Sequence, residues 1–219
     1  GASAMIAGAG HRTGERLRTA MDIGPVTLEG AGVRMAPLTE AHEAELLAIL
    51  DPTLTQWFPK SMQTREDVRA YIAEALAWQK AGTAVPFATI ERASGKLIGT
   101  TRFANIDRAN KRAEIGWTLV ARAHQRSAVN TEAKLLMLTH AFETWGCIRV
   151  EFKTDSLNIQ SRTALTRLGA TEEGIFRNHV ICASGRLRHS VYFSITNDEW
   201  PAIKQRLLRR LAAGGHAKV

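Results

Sequence analysis

Cysteine is nearly missing from this 219-residue chain, which holds only Cys147 and Cys182. Two thiols cannot build a disulfide framework, and neither stands in the Cys-x-x-Cys spacing that holds a metal. Both lie in apolar stretches and read as buried thiols of a reducing compartment. No apolar run approaches the roughly 20 residues of a bilayer-spanning helix. Met5-Ile6-Ala7 is too short for a signal-peptide core. The histidines, His124, His179 and His189 among them, show no metal-ligand spacing, so no metal is expected. These absences together point to a soluble, cytoplasmic protein without a membrane partner. The length suffices for one sizeable core and is marginal for two.

A strong internal charge is also lacking, although the net charge is +8. Residues 1–20 carry Arg12, Arg16 and Arg18 against Glu15, a balance of +2. Residues 201–219 carry Lys204, Arg206, Arg209, Arg210 and Lys218 without an acid, a balance of +5, which leaves +1 for everything between. A nucleic-acid reader needs its positive stripe on a folded surface, and here the basicity belongs to the two ends. Nucleic acid is therefore not the expected partner.

What is present is a sequence of elements. Residues 1–24 are rich in Gly and Ala without a sustained period and read as a flexible leader, with Gly1-Ala2-Ser3-Ala4 resembling a cloning scar. Order is expected from Val26, with short strands at 26–28 and 33–37. A helix over about 40–50 is stopped by Asp51-Pro52, and Thr64-x-x-Asp67 caps a second helix running to Lys80. Strands 85–91 and 96–104 flank Ala93-Ser94-Gly95, a hairpin signature. Residues 113–120 alternate as a third strand. The loop His124–Asn130 leads into a helix from about Thr131 to Trp145, stopped by Gly146. A strand at 150–154, a helix capped by Asn158 and ended at Leu168-Gly169, and a last hairpin of 174–181 with 187–196 follow. The domain then spans 25–200, with a basic helical tail over 201–219. This order describes an α/β (α+β) domain. The strands at 113–120 and 150–154, joined by a helix, should run parallel.

The segment with the most chemistry is Ala113-Glu114-Ile115-Gly116-Trp117 through Gln125–Ala133. A strand that feeds a loop of small residues into a helix start offers unpaired amides and the positive end of a helix dipole, which suit an anion. Gln125, Arg126 and Ser127 add donors fit for a pyrophosphate. Equally, Arg126 could be solvated and Asn130 or Thr131 could be an ordinary N-cap. Glu132 would repel a phosphate unless its side chain turns away.

These residues, with Asn158-Ile159-Gln160-Ser161-Arg162, Leu168-Gly169-Ala170, Tyr192-Phe193-Ser194-Ile195 and Glu199-Trp200, resemble the GCN5-related N-acetyltransferases (GNAT), and within them the ribosomal-protein N-terminal acetyltransferase-like branch. The resemblance covers about residues 26–200. It implies a mixed, mostly antiparallel sheet whose two central parallel strands splay around a coenzyme, with helices on both faces. It implies acetyl-CoA as co-substrate and transfer to a primary amine. The family's phosphate loop reads Gln/Arg-x-x-Gly-x-Gly/Ala. Here Gln125 matches, while Ala128 and Asn130 replace the two small positions. If Ala128 keeps a negative φ, the amides of Gln125, Arg126, Ser127, Ala128, Val129, Asn130 and Thr131 still form the cradle. The resemblance further assigns backbone pairing with the pantetheine arm to Trp117, Thr118 and Leu119, and a contact with that arm to Asn158.

An attacking amine must lose a proton, because alkylammonium groups are mostly protonated near neutral pH. Glu114 is the expected base; the alternative is a salt bridge with Arg112 or Lys111 on a solvated face. Many relatives place an acidic tyrosine where this chain has Leu165. Ser161 is the substitute expected to meet the sulfur, unless it is bonded back to its own helix, and Tyr192 stands in reserve. Trp57 and Phe58 are candidates for the acceptor pocket, although adjacent aromatics are often core anchors. The resemblance also implies a homodimer. Two competing readings remain: a non-catalytic coenzyme-binding domain, and a ribosome- or nucleic-acid-associated binder using the basic ends.

Overall fold

The computed structural model describes residues 21–214. Most of the expected leader and the last five residues of the tail lie outside the described residues. One boundary moves: Met21 and Ile23 are buried in the core, and the Trp145 indole donates to the Asp22 carbonyl at 2.9 Å. Packing therefore begins before Val26, because two apolar side chains and an indole partner are available there.

Eight strands form one sheet in the order β1-β2-β3-β4-β5-β6-β8-β7. They are β1 (Leu28–Glu29), β2 (Val33–Pro37), β3 (Val85–Glu91), β4 (Leu97–Asp107), β5 (Arg112–Val120), β6 (Arg149–Asp155), β7 (Thr171–Ile181) and β8 (Leu187–Thr196). Every neighbouring pair is antiparallel except β5–β6, which is parallel. The helices are α1 (Glu43–Ile49), α2 (Pro52–Thr55), α3 (Arg65–Lys80), α4 (Ala128–Thr139), α5 (Ile159–Leu168) and α6 (Trp200–Ala212).

Local chemistry sets most boundaries. Thr64 Oγ1 accepts from the Asp67 amide at 3.1 Å while the Asp67 carboxylate accepts from the Thr64 amide at 3.0 Å, a reciprocal cap for α3. Asp51 does more than end α1: with Pro52 it caps α2, accepting from the Thr53 amide at 2.8 Å. Asn158 accepts from the Ser161 amide at 3.0 Å to start α5, and Gly169, at φ 100°, ends it. α4 begins three residues earlier than the expected Thr131 and continues at His140–Thr144 as a π turn.

Two cores lie on opposite faces of the sheet. One holds Ala113, Ile115, Val150, Phe152 and Phe193 against Met137, Leu138, Leu165, Ile203 and Leu207, so α4, α5 and α6 share that face. The other holds Leu38, Leu46, Val68, Ile72, Ala88 and Leu119 under α1 and α3. The expected basic tail is thus in part a packed helix. Ile203 and Leu207 of α6 are buried, and Lys204 pairs with Glu143 at 2.7 Å.

Candidate active site

The parallel pair is short. Arg112, Ala113 and Glu114 lie opposite Arg149, Val150 and Glu151, and pairing stops there. β5 turns away because it carries a bulge: Thr100 pairs with Leu119 and Arg102 with Gly116, so Thr101 faces both Trp117 and Thr118. Trp117 adopts φ 50°, a conformation that costs a non-glycine residue on the order of 1–3 kcal/mol. Neighbours hold it there. The Tyr71 hydroxyl donates to the Trp117 carbonyl at 3.0 Å, and Trp78 meets the indole edge-on with centroids 5.2 Å apart. Beneath lies the fully buried Arg102. Its guanidinium sits 4.6, 5.2 and 5.1 Å from the Tyr71, Trp78 and Trp117 rings, makes no hydrogen bond among the described residues, and has Glu74 at 3.8 Å.

Glu114 stands at the root of this opening. It is buried, and Asn105 Nδ2 donates to it at 2.7 Å while Lys153 Nζ pairs with it at 2.8 Å. Of the expected alternative partners, Arg112 bonds Asp107 and Glu151 instead. A Cβ on Gly116 would come within 3.1 Å of Glu114 Oε1, so the carboxylate and Gly116 share one face of β5. That face is opposite Ala113 and Ile115, which pack toward α4. Lys153 also lies 5.5 Å from the Tyr192 ring, which contacts Phe176 at 4.4 Å between centroids. Glu114, Lys153 and Tyr192 therefore form one polar group, on the part of the sheet that α1 and α3 leave uncovered.

The loop before α4 supplies the open donors. Gln125 donates to the Val120 carbonyl at 3.3 Å and accepts from Gln160 of α5 at 3.0 Å, which closes the loop onto that helix. Arg126 is exposed and takes the left-handed conformation, φ 57°; Ala128 is helical and does not. The Ser127 hydroxyl donates to the His124 carbonyl at 2.5 Å and is spent. The amides of Ser127, Ala128, Val129 and Asn130 have no acceptor among the described residues. Thr131 corrects the expected cradle. Its amide and its hydroxyl both bond the Ser127 carbonyl, at 3.3 and 3.5 Å, because the helix already starts at Ala128. Glu132 turns away: its carboxylate accepts from the amides of Ala31, Gly32 and Val33 at 2.7, 2.8 and 2.8 Å.

Ser161 is half-buried on α5, one turn from Leu165 and two turns from Leu168, which are core. Its hydroxyl has no hydrogen-bond partner among the described residues; the residue of this helix that bonds back to a carbonyl is Thr166, at 3.1 Å from that of Arg162. Asn158 and Ser161 lie beside Gln125 through Gln160. Trp57 and Phe58 separate. Phe58 stacks on Tyr71 at 6.5 Å and packs against the α3 core. Trp57 faces Arg186 at 5.8 Å, at the β7–β8 turn, where the Ala183 amide also donates to the Pro59 carbonyl. Arg186 in turn pairs with the buried Asp155 at 2.5 Å.

Three residues of this region are not among the sequence candidates: Arg102, Lys153 and Lys134. Lys134 interrupts the apolar run Ala133–Leu138 of α4, the one signal that could have flagged it. Its ammonium reaches Thr118 Oγ1 at 3.2 Å. Burial holds it down to a pKa of about 8, against an ordinary 10.5.

A family model described as an acetyltransferase (GNAT) domain matches residues 33–171, more than half of the chain. The chain belongs to the GNAT acetyltransferase family. Among curated relatives of this GNAT protein, the "Uncharacterized N-acetyltransferase p20" of Bacillus licheniformis is 33% identical over 119 residues, covering 54% of this chain and 66% of that protein. "Putative ribosomal N-acetyltransferase YdaF" of Bacillus subtilis (strain 168) is 32% identical over 110 residues, covering 50% and 59%. The match thus spans about two thirds or less of these relatives. A crystal structure of a GCN5-related N-acetyltransferase from Brucella melitensis superposes with a TM-score of 0.80 at 32% identity, covering 89% of this chain and 92% of that one. The expected fold of a GNAT domain, with its single parallel pair, is the fold observed. Among the described residues no helix is long and apolar enough to cross a membrane, and no group of side chains could hold a metal.

Proposed function

We propose that this GNAT domain moves an acetyl group from acetyl-CoA to a primary amine by direct transfer in a ternary complex. The observation that carries the reading is the opening of β5 from β6 directly beyond Glu114. Pantetheine is long, flexible and bears amides, and an unpaired strand edge offers it the hydrogen bonds of an added strand. The unpaired amides of Ser127–Asn130 and the helix dipole behind them suit the diphosphate. Gln125 and Asn158 stand beside that path, with Ser161 reaching it from α5. The thioester then falls next to Glu114, which takes the proton of the amine as nitrogen attacks the acyl carbon.

The uncovered face carrying Lys153, Tyr192 and Phe176, with Trp57 across at the β7–β8 turn, would receive the acceptor. A protein N-terminus, a peptide or a small amine all present the required nitrogen, and kinship with the relative named as a ribosomal N-acetyltransferase favours the first. A cytoplasmic setting suits the two buried, unpaired thiols. A homodimer follows from the family resemblance.

The test is calorimetric binding of acetyl-CoA followed by thiol release over an amine panel. Glu114→Gln should lower turnover about 100-fold or more with coenzyme affinity unchanged. Binding without turnover on any amine would replace this reading with that of a coenzyme-binding domain.

A further inference from the structure

The mechanism above leaves the departing sulfur without a ready proton: Leu165, where the resemblance implies a tyrosine, is core, and the Ser161 hydroxyl is too weak an acid to do more than hydrogen-bond the sulfur. One half-buried titratable group of the opening is still unused. Lys134 extends from α4, on the face opposite Glu114, and its ammonium lies between the two diverging strands. Thr118 Oγ1 of β5 is 3.2 Å from it, and the Phe152 ring of β6 is 6.0 Å away. The small pocket that Lys134 borders between α4 and strands β3–β5, with Thr100, Thr101, Asn130 and Met137 in its lining, holds no other charge. No carboxylate pairs with Lys134 among the described residues, although a lysine withdrawn even in part from water usually has a charge partner. Desolvation alone lowers its pKa to about 8, near the working pH at which a proton donor is most effective. An unpaired cation retained in the cleft, at a cost to folding, calls for an anion that appears there only during reaction.

We infer that Lys134 is a catalytic residue that stabilises and protonates the departing coenzyme A thiolate. The inference rests on the acyl-transfer reading. The acceptor nitrogen forms the C–N bond with its lone pair, and the C–S bond breaks with its electron pair going to sulfur. Sulfur takes a proton from the Lys134 ammonium, while the proton lost by nitrogen goes to Glu114. Exchange with water then returns one proton to Lys134 and removes one from Glu114. Acid and base approach the thioester from opposite faces of the sheet, which keeps the ammonium from pairing with Glu114, whose own partner is Lys153.

The thiol of bound coenzyme A tests this without any acceptor. Its ionisation, followed by thiolate absorbance, should occur at least about one pH unit below that of free coenzyme A. In Lys134→Met, a chain of similar length without charge, the bound thiol should titrate as free coenzyme does. Turnover should fall roughly 100-fold with coenzyme affinity retained. Should the wild-type complex show the thiol at its free value, or the variant turn over like wild type, the role of Lys134 is overturned while acyl transfer stands. Failure of coenzyme A to bind at all overturns both readings.

Discussion

Glu132 ties the start of α4 to the β1–β2 turn, and removing its carboxylate gives a measurement that the geometry fixes in advance. Three amides donate to it at 2.7–2.8 Å. That of Ala31 is exposed and can turn to water, whereas those of Gly32 and Val33 are part-buried. A hydrogen bond to a charged group contributes about 1.5–3 kcal/mol, so losing two at the lower end costs about 3 kcal/mol in Glu132→Ala. For a domain of this size the thermal midpoint should fall by roughly 6–12 °C. Urea unfolding should show a lower midpoint with an unchanged slope. Gly30 supplies an internal control. A Cβ there would lie 2.5 Å from Glu132 Cδ, so Gly30→Ala must expel the carboxylate and should cost a similar amount. Once Glu132 is alanine the three atoms nearest that Cβ are gone, and the two losses should fall short of additivity by at least about 1 kcal/mol. Additive losses, or a loss below about 1 kcal/mol for Glu132→Ala, would show that the carboxylate does not hold this turn.

Other outcomes follow from the same geometry. Because the folded pKa of Lys134 is about 8 against 10.5 ordinarily, the unfolded chain binds more protons between those values, and stability should rise with pH across that window. Lys134→Met should remove that rise and stabilise the protein at neutral pH by up to roughly 3 kcal/mol; urea titrations at several pH values would check both. Asp67 is held down to about 2 by the amides of Gln63 and Thr64 and the Ser61 hydroxyl. Its contribution is complete above the ordinary 3.8 and is lost as pH falls through about 2, so Asp67→Asn should flatten the acid limb of the stability curve. Gln125→Leu breaks the bridge to Gln160 and should weaken coenzyme A binding in calorimetry without altering the thermal midpoint.

Elements with a local cause were legible in the sequence. The Thr64–Asp67 box, Asn158 with Gly169, and the Ala93-Ser94-Gly95 turn each act within a few residues, and the structure places α3, α5 and the β3–β4 hairpin where those signals stand. The sequence pattern places the start of α4 too late because Asn130 and Thr131 are good capping types. Ser127 takes the cap position instead, although its hydroxyl bonds the His124 carbonyl rather than an amide of the helix. Phe58 and Trp57 are adjacent in sequence yet face a core ring and a hairpin turn respectively, a difference that no local pattern carries.

By itself the sequence determined the order of strands and helices, the parallel pair and the stretch from Glu114 to Ala133 that bears the chemistry, since periodicity, caps and turn residues act over short distances. Only the tertiary structure decided which charges share the opening. Lys153, Lys134 and Arg102 come from three different elements, and their burial and partners exist only once β5 bends away from β6. Electrostatic environment is a property of distance through space, which spacing along the chain does not encode.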